Sequence, residues 1–334
     1  MPAGCAGSVA ADLVPARATA FAYSAHMRSD DLPYLPRRVP HSEFLTLRGL
    51  RCHLNVWGED SLAAPAGLPP LVLLHGWMDV GASFQFVVDA LATPRLVVAP
   101  DWRGFGRSDA SGADSYWFPD YLADLDALLD ARWPGLAVDL LGHSMGGNVA
   151  MIYAGVRPDR VRRLVNLEGF GLPESRASQA PRRYAQWLDA LREPPRLRSY
   201  ASLDDVAARL RRTNPLLPAQ RARWLAAQWS RERHDGQFEI LGDPAHKLAN
   251  PVLYRKDEVL ECWKRIQAPL LWVQGDRTDT ERWWGQRYTL AEFHERLAVV
   301  SQVQEHVLVD AGHMLHHDQP EALARLLEAF LAGS

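Results

Sequence analysis

The stretch VDLLGHSMGGNV, residues 138–149, places an apolar run directly before a serine that is flanked by glycines. Val138–Leu141 predicts a strand, and Asn148–Val156 predicts a helix that follows the Gly-x-Ser-x-Gly turn at once. A strand, a tight turn and a helix in this order are what a nucleophile elbow requires. The two glycines matter because a side chain at either position would collide with the neighbouring strand or helix. The stretch therefore predicts a sharp turn that exposes the hydroxyl of Ser144 above a sheet.

The totals of the 334-residue chain are those of a soluble globular protein, with 47% hydrophobic and 23% charged residues. The formal net charge of −3 gives no electrostatic reason to expect nucleic acid or an anionic membrane as partner. Apolar runs stay shorter than the roughly 20 residues that a membrane span needs. We expect a small-molecule substrate and a monomer or homodimer.

The cysteines and the N-terminal residues indicate the cellular compartment in which the protein is expected. Cys5, Cys52 and Cys262 lie far apart, form no metal-ligand spacing and are too few for a disulfide framework. A reducing compartment, the cytoplasm, is therefore expected. Residues 1–40 lack a continuous apolar core of the kind found in secretory signals and end in the proline-rich LPYLPRRVP. We expect them to form a flexible extension.

Short apolar runs alternate with segments of helical periodicity on both sides of a central insertion, which is typical of an α/β protein. This pattern predicts a doubly wound, mostly parallel sheet of eight strands. The first two strands should form a hairpin. The predicted strands are Glu43–Leu47, Cys52–Trp57, Leu71–Leu74, Leu96–Ala99, Val138–Leu141, Val161–Leu167, Leu270–Val273 and Glu305–Val309.

After Gly171 the sequence pattern changes from alternating strands and helices to mainly helices. Residues 172–264 are helical in pattern, rich in Arg and Trp, and broken by Pro, whereas 41–171 and 265–334 alternate strand and helix. This arrangement predicts a two-part core with a helical cap over the carboxyl ends of the strands. The aromatic residues of the cap predict an apolar acyl or aromatic ligand, although each one alone is more typical of a core position. They include Trp187, Trp224, Trp229 and Trp263.

Polar candidates follow the predicted strands at the points where these end, which is where open α/β sheets carry their active sites. They come after the third, fifth, sixth, seventh and eighth strands. In that order they are the segment His75-Gly76-Trp77 and the residues Ser144, Glu168, Asp276 and His313.

Four motifs in this order and spacing resemble those of the α/β-hydrolase fold superfamily, in particular its serine-nucleophile hydrolases with a helical cap. They are HGW at 75–77, DWRGFGRSD at 101–109, GHSMGG at 142–147 and DAGHMLHHDQPE at 310–321. The resemblance covers about residues 41–332. It implies a nucleophile, a base, an acid and two backbone donors that stabilise an oxyanion.

The resemblance and the chemistry together assign the roles. A serine hydroxyl needs an adjacent base, and His313 is the histidine that sits in a Gly-His turn after a late strand. The oxyanion would be held by the backbone N–H groups of Met145 and Trp77, because relatives with His-Gly-x use the residue after the glycine. Removing such a donor typically raises a barrier by about 2.7–4 kcal/mol.

Three further histidines are not expected to take part in the reaction. His143 is expected to pack and hydrogen-bond beneath the elbow, and His316 and His317 are expected either near the site or at the surface. A metal site made from His313, His316, His317 and Asp318 is disfavoured, because these residues belong to the family's histidine loop. No metal and no cofactor are expected.

The acid departs from the commonest pattern of the family. Many relatives carry Asp three residues after a glycine that ends the seventh strand, and here that position is Thr278. Asp276 and Asp279 lie one and four residues after Gly275. The alternative is Glu168 after the sixth strand, at the point where some haloalkane dehalogenases place their acid. We favour Glu168 and keep Asp276 or Asp279 as alternatives.

A serine at the elbow, instead of the aspartate of dehalogenases and epoxide hydrolases of this fold, favours acyl-enzyme chemistry on a carbonyl. The first hypothesis is hydrolysis of a carboxylic ester, thioester or lactone with an apolar acyl or aromatic group. The second is hydrolysis of a carbon–carbon bond in a meta-cleavage product. A third, of another class, is a ligand-binding or signalling protein with slow hydrolysis.

Overall fold

The computed structural model describes residues 32–58 and 67–333. The strands of these residues lie before, within and after the insertion. They are β1 His41–Leu47, β2 Leu50–Trp57, β3 Leu71–Leu74, β4 Val97–Pro100, β5 Val138–His143, β6 Val161–Leu167, β7 Ser199–Tyr200, β8 Ser230–Glu232, β9 Phe238–Ile240, β10 Leu270–Gly275 and β11 Val303–Leu308.

The α-helices of the same residues occupy both faces of the sheet and most of the insertion. They are α1 Gln85–Ala90, α2 Phe118–Arg132, α3 Met145–Val156, α4 Ala180–Arg192, α5 Leu203–Thr213, α6 Ala219–Trp229, α7 Lys256–Trp263, α8 Glu281–Trp284, α9 Leu290–Leu297, α10 Leu315–Asp318 and α11 Pro320–Ala332.

Within the described residues, the main sheet has eight strands in the order β1-β2-β4-β3-β5-β6-β10-β11. β1 and β2 form the expected hairpin, and β2 pairs antiparallel with β4. The remaining neighbours pair in parallel. This confirms the expected doubly wound, mostly parallel sheet. Its central strands end at the same edge, where the polar candidates lie.

Strand β3 shows why the central strands are uninterrupted apolar runs. Val72 and Leu74 pack in the hydrophobic cluster that contains residues of α2 and α3, whereas Leu71 and Leu73 pack in the cluster that contains residues of α1 and α11. Because helices cover both faces, successive side chains of the strand are all buried.

The described end of the predicted N-terminal extension is hydrogen-bonded to α1. The backbone N–H of Arg38 donates to Asp89 at 2.8 Å, and the side-chain amide of Gln85 donates to the carbonyl of Arg38 at 2.8 Å. Tyr34 also donates to Asp89. Residues 1–31 lie outside the described part. In the described part, no helix has the length and apolar character needed to cross a membrane.

The insertion after β6 is mixed and not purely helical. It contains α4, α5 and α6 together with a small antiparallel sheet in the order β7-β9-β8. These strands are two or three residues long. A run of that length is too short to display an alternating pattern, which is why the sequence did not indicate it.

Helix α7 belongs with the core, although the expected cap boundary at residue 264 includes it. Trp263 is 1% exposed and lies in the same hydrophobic cluster as residues of α3 and α9. A Cβ at Gly155 of α3 would clash with the backbone carbonyl of Cys262. The close approach of α7 to α3 therefore depends on Gly155. Through this contact α7 supports α3, the helix that Ser144 caps.

Gly155→Ala tests this contact. Alanine favours a helix by up to about 1 kcal/mol over glycine, but here the new methyl group would push against backbone that cannot rotate away. We expect the free energy of unfolding to fall by about 1–3 kcal/mol, measured by urea denaturation. The neighbouring change Val156→Ala is the control, because Val156 is 48% exposed. A stabilised Gly155→Ala protein would contradict the contact.

Candidate active site

The elbow has the geometry that its sequence predicts. Ser144 caps α3 with φ 52° and ψ −114°, a conformation that side-chain-bearing residues rarely adopt. A Cβ at Gly142 would clash with the carbonyl oxygen of Gly146, and a Cβ at Gly146 would clash with the carbonyl oxygen of Leu74. The two glycines therefore allow strand, turn and helix to approach closely enough to hold Ser144 in its strained conformation.

A chain of two hydrogen bonds joins Ser144, His313 and Glu168. The Ser144 hydroxyl lies 3.1 Å from Nε2 of His313, and Nδ1 of the same ring lies 2.9 Å from Oε2 of Glu168. When Glu168 is ionised its carboxylate can only accept, so Nδ1 carries the proton and Nε2 is left as an acceptor for the serine hydroxyl. Burial lowers the pKa of His313 below its usual value, which keeps the ring neutral and able to accept a proton.

Glu168 is 1% exposed and follows β6 with a φ of 56°. Burial raises its pKa to about 7, and two hydrogen bonds to Oε1 act in the opposite direction. Their donors are the backbone N–H of Gly275 and the hydroxyl of Thr278, both at 2.7 Å. Thr278 occupies the position where many relatives carry their acid. In this chain it donates to a carboxylate that comes from the neighbouring strand.

The two alternative acids lie elsewhere. Asp276 and Asp279 are both exposed. Asp276 accepts the backbone N–H of Ala311 at 3.1 Å, and Asp279 accepts that of Arg282 at 3.1 Å. Asp276 thus braces the loop that carries His313, and Asp279 bonds to the first turn of α8. The geometry favours Glu168, as expected.

The two residues predicted to hold an oxyanion lie beside the elbow. Met145 is the first residue of α3, and the first N–H groups of a helix have no intrahelical acceptor. Gly76 lies against the elbow, since a Cβ there would be 3.3 Å from the Cβ of Ser144. The residue after it is Trp77. Trp77, Met145 and Ser144 all line the same cavity.

The motif at 101–109 braces this site from outside. The backbone N–H of Trp102 donates to Nε2 of His75 at 2.9 Å, and its indole N–H donates to the His75 carbonyl at 3.0 Å. Asp101 accepts from the ring of His53 and from the backbone N–H of Gly81. Loops after β3 and β4 are thereby held together beside the elbow.

Three histidines lie buried behind Ser144. Nε2 of His143 is 2.8 Å from the carbonyl oxygen of His313, so His143 donates to the backbone of the histidine loop, beneath the elbow as expected. His316 is 0% and His317 is 2% exposed. The surface alternative for these two is therefore wrong, because α10 points them into the protein, against Phe84 and Phe86.

Within residues 32–58 and 67–333, one group of buried side chains has ligand atoms close enough for a metal: Asp79, His143 and His316, within 4.8 Å of one another. The oxygens of Asp79, however, already accept hydrogen bonds. Their donors are the backbone N–H of Val80, the hydroxyl of Ser83 and the indole of Trp229. A cation would have to displace these bonds, so the donor set fits a structural polar network better than a metal site.

Ser144 opens onto a cavity of about 620 Å³ with a largely aromatic wall. Most of these residues carry no local pattern that marks them as ligand contacts. They come from loops and from the starts or ends of short helical segments, and the Trp-Trp pair at the end of α8 is the clearest signal in the sequence. The aromatic residues of the wall are Trp77, Tyr116, Trp117, Phe118, Tyr121, Phe170, Trp283 and Trp284.

The four tryptophans expected in the cap contact other parts of the protein. Trp263 is in the core, and the indole of Trp229 donates to Asp79 at 2.9 Å. Trp224 packs edge-on against Phe86, and Trp187 donates to a backbone carbonyl. Trp229 and Trp263 are therefore core residues, whereas Trp187 and Trp224 are only partly buried. None of the four lines the cavity, so its apolar character has a different origin.

The insertion reaches the cavity through the residues that follow its small sheet. His246 is stacked between Phe105 and Tyr116, with ring centroids 3.7 and 3.8 Å apart. The indole of Trp77 donates to the carbonyl of His246 at 3.3 Å. Burial lowers the pKa of His246 to about 4, so the stacked ring is neutral. This contact places residues 245–250 over the carboxyl ends of the strands.

The sequence matches a family model described as alpha/beta hydrolase fold over residues 69–320, more than half of the chain. The chain belongs to the α/β-hydrolase fold family. The expected family and the expected enzyme class, a hydrolase, are thereby confirmed.

Relatives of this α/β-hydrolase include a 3-hydroxybutyrate-oligomer hydrolase from Cupriavidus necator, 30% identical over 300 residues that cover 85% of this chain and 94% of that protein. A serine hydrolase-like protein from Danio rerio is 27% identical over 290 residues, covering 82% and 86%. The thioesterase domain from the curacin biosynthetic pathway superposes with a TM-score of 0.74 at 26% identity, covering 87% of this chain and 99% of the domain.

The identity of the acid can be tested by a pair of variants. Glu168→Gln removes the charge that orients His313 and stabilises its protonated form, so we expect ester hydrolysis to fall by about 10³-fold or more. Asp276→Asn removes an exposed charge but keeps an oxygen that can accept the Ala311 N–H, so it should lower the rate by less than about fivefold. Initial rates of the purified proteins measure both, and the reverse ranking would refute Glu168 as the acid.

The hydrogen bond from the Thr278 hydroxyl to Glu168 provides a second test of the role of this carboxylate. Thr278→Val removes the hydroxyl at nearly constant volume, and a hydrogen bond to a charged group contributes about 1.5–3 kcal/mol. We expect kcat to fall about tenfold with little change in KM. Thr278→Ser keeps the hydroxyl and is the matched control. Equal rates for the valine and serine variants would mean that this bond does not support the reaction.

Proposed function

We propose that the protein is a serine hydrolase that cleaves carboxylic esters, or the related thioesters and lactones, through an acyl-enzyme. Ser144 would be the nucleophile, His313 the base and Glu168 the acid. The observation that carries the proposal is the continuous hydrogen-bonded chain of these three side chains at the wall of an apolar cavity. The segment between β6 and α7 would be the cap of this enzyme.

The first half of the reaction forms the acyl-enzyme. His313 takes the proton of Ser144 while Oγ bonds to the carbonyl carbon, and the carbonyl oxygen becomes an oxyanion. The N–H groups of Met145 and Trp77 would hold this oxyanion, helped by the positive end of α3. Protonated His313 then gives its proton to the leaving alcohol or thiol as the carbonyl–oxygen or carbonyl–sulfur bond breaks.

The second half consumes water. His313 takes a proton from a water molecule as the water oxygen bonds to the acyl carbon, and a second oxyanion forms in the same place. The proton returns to Oγ of Ser144 as the acyl–enzyme bond breaks, which releases the carboxylic acid. Glu168 stays ionised throughout and stabilises the imidazolium that forms twice in each cycle.

The substrate class follows from the cavity. Its volume of about 620 Å³ lies in the range of small-molecule sites, and its aromatic wall suits an apolar acyl or aromatic group. The names of the similar proteins, an oligomer hydrolase of 3-hydroxybutyrate and a thioesterase domain, are consistent with ester or thioester cleavage. Carbon–carbon hydrolysis and ligand binding with slow turnover stay predictions of the sequence.

A series of p-nitrophenyl esters from acetate to laurate tests the proposal. We expect kcat/KM to rise from acetate to the medium-chain esters as the acyl chain fills the aromatic cavity, and to fall for laurate. Ser144→Ala should lose activity by roughly 10⁴-fold or more, because the remaining groups supply no nucleophile.

A fluorophosphonate probe is the companion measurement. It should label the unaltered protein and fail to label Ser144→Ala. Ester hydrolysis that survives unchanged in Ser144→Ala would overturn the proposal. Turnover of a meta-cleavage product in the absence of any ester hydrolysis would favour the carbon–carbon alternative.

A further inference from the structure

A second depression, of about 1030 Å³, adjoins the aromatic cavity. Its walls come mainly from residues 172–186, which include the start of α4, and from residues 284–287, which begin with the last residue of α8. We call it the arginine groove, after four of the residues that line it. These are Arg176, Arg182, Arg183 and Arg287.

The groove carries positive charge that its surroundings do not neutralise. Among the described residues, no carboxylate is in ion-pair contact with any of its four guanidinium groups. Glu174 also lines the groove, but it is paired with Lys256 at 3.0 Å. Arg103 near the elbow contrasts with this arrangement, since it is bonded to Asp124. Several unpaired cations that line one depression attract an anion.

The groove is continuous with the reaction site. Trp117, Leu172, Asn250 and Trp284 line both the groove and the cavity that contains Ser144. A ligand whose carbonyl lies at Ser144 can therefore pass along the aromatic wall and extend its other end among the arginines.

We propose that the arginine groove binds an oxyanion, a carboxylate or a phosphate, at the far end of the ester or thioester substrate. This inference rests on the proposed function for the position of the carbonyl. Guanidinium groups bind both oxyanions through two parallel hydrogen bonds, which fixes orientation as well as charge. The substrate is accordingly amphipathic, with an apolar middle in the aromatic cavity and an anionic end outside it.

Arg183 and Arg287 are the residues to test, because they come from the two different segments that form the walls. Arg183 is half-buried on α4, whereas Arg287 is exposed. Together they can hold an oxyanion from two sides. Arg192 lies on α4 but outside the lining and is paired with Asp189, so Arg192→Gln is a matched control.

The kinetic experiment compares substrates that differ only in charge. The first pair is mono-p-nitrophenyl suberate and p-nitrophenyl methyl suberate, and the second is the hexanoyl thioesters of 4′-phosphopantetheine and pantetheine. We expect kcat/KM for the charged member of at least one pair to exceed that for the neutral member by about tenfold, mainly through KM. The pair with the larger ratio identifies the carboxylate or the phosphate as the oxyanion.

The ratio should fall to near one in the double variant Arg183→Gln/Arg287→Gln and stay high in Arg192→Gln. It should also fall as salt is added, because ions screen exposed charges. A ratio near one for both pairs in the unaltered protein would overturn the inference. A ratio that the double variant leaves unchanged would overturn it as well.

A binding measurement separates this inference from the proposed function. Calorimetry on Ser144→Ala compares monomethyl suberate with dimethyl suberate, and 4′-phosphopantetheine with pantetheine, without any hydrolysis. Tighter binding of a charged member, lost in the double variant, would support the groove even if no ester were cleaved. Ester cleavage combined with equal binding of charged and neutral members would leave the proposed function standing and refute the groove.

Discussion

The buried carboxylate of Glu168 is the interaction on which the site depends. A charge at 1% exposure is costly unless hydrogen bonds replace its water. Its donors, Gly275, Thr278 and His313, lie 107, 110 and 145 residues further along the chain. The carboxylate is therefore satisfied only when β6, β10 and the histidine loop have assembled. The same bonds set the tautomer of His313, so the stability of the buried charge and the readiness of the base have one origin.

Close backbone packing holds Ser144 in place. The elbow fits because Gly142 and Gly146 lack side chains where α3 meets β3 and β5, and α7 then supports α3 at Gly155. The loops beside the elbow are joined by polar bonds between His75 and Trp102. Strain at Ser144 is thus maintained by the close packing around it.

The surroundings of Ser144 divide into two chemical regions. Aromatic rings form the cavity next to the serine, and four unpaired arginines line the groove beyond it. The insertion contributes to both regions, through residues 245–250 and through residues 172–186. The insertion contacts the core where His246 stacks between Phe105 and Tyr116. This contact brings the two segments to the carboxyl ends of the strands. Substrate selection therefore depends on the insertion and the loops, whereas the proposed reaction steps depend on the core.

The sequence alone predicted the sheet and the elbow, because apolar runs, glycine spacing and turn chemistry are local signals that act within a few residues. The proposed base and the preferred acid were predicted from the resemblance of the surrounding motifs to those of the family. Only the tertiary structure decided that Thr278 donates to Glu168, that His316 and His317 are buried, and that α7 packs with the core. It also decided which aromatics form the cavity and which arginines lack a carboxylate partner. These features join residues far apart in the chain, and a contact between distant segments leaves no periodic pattern in either one.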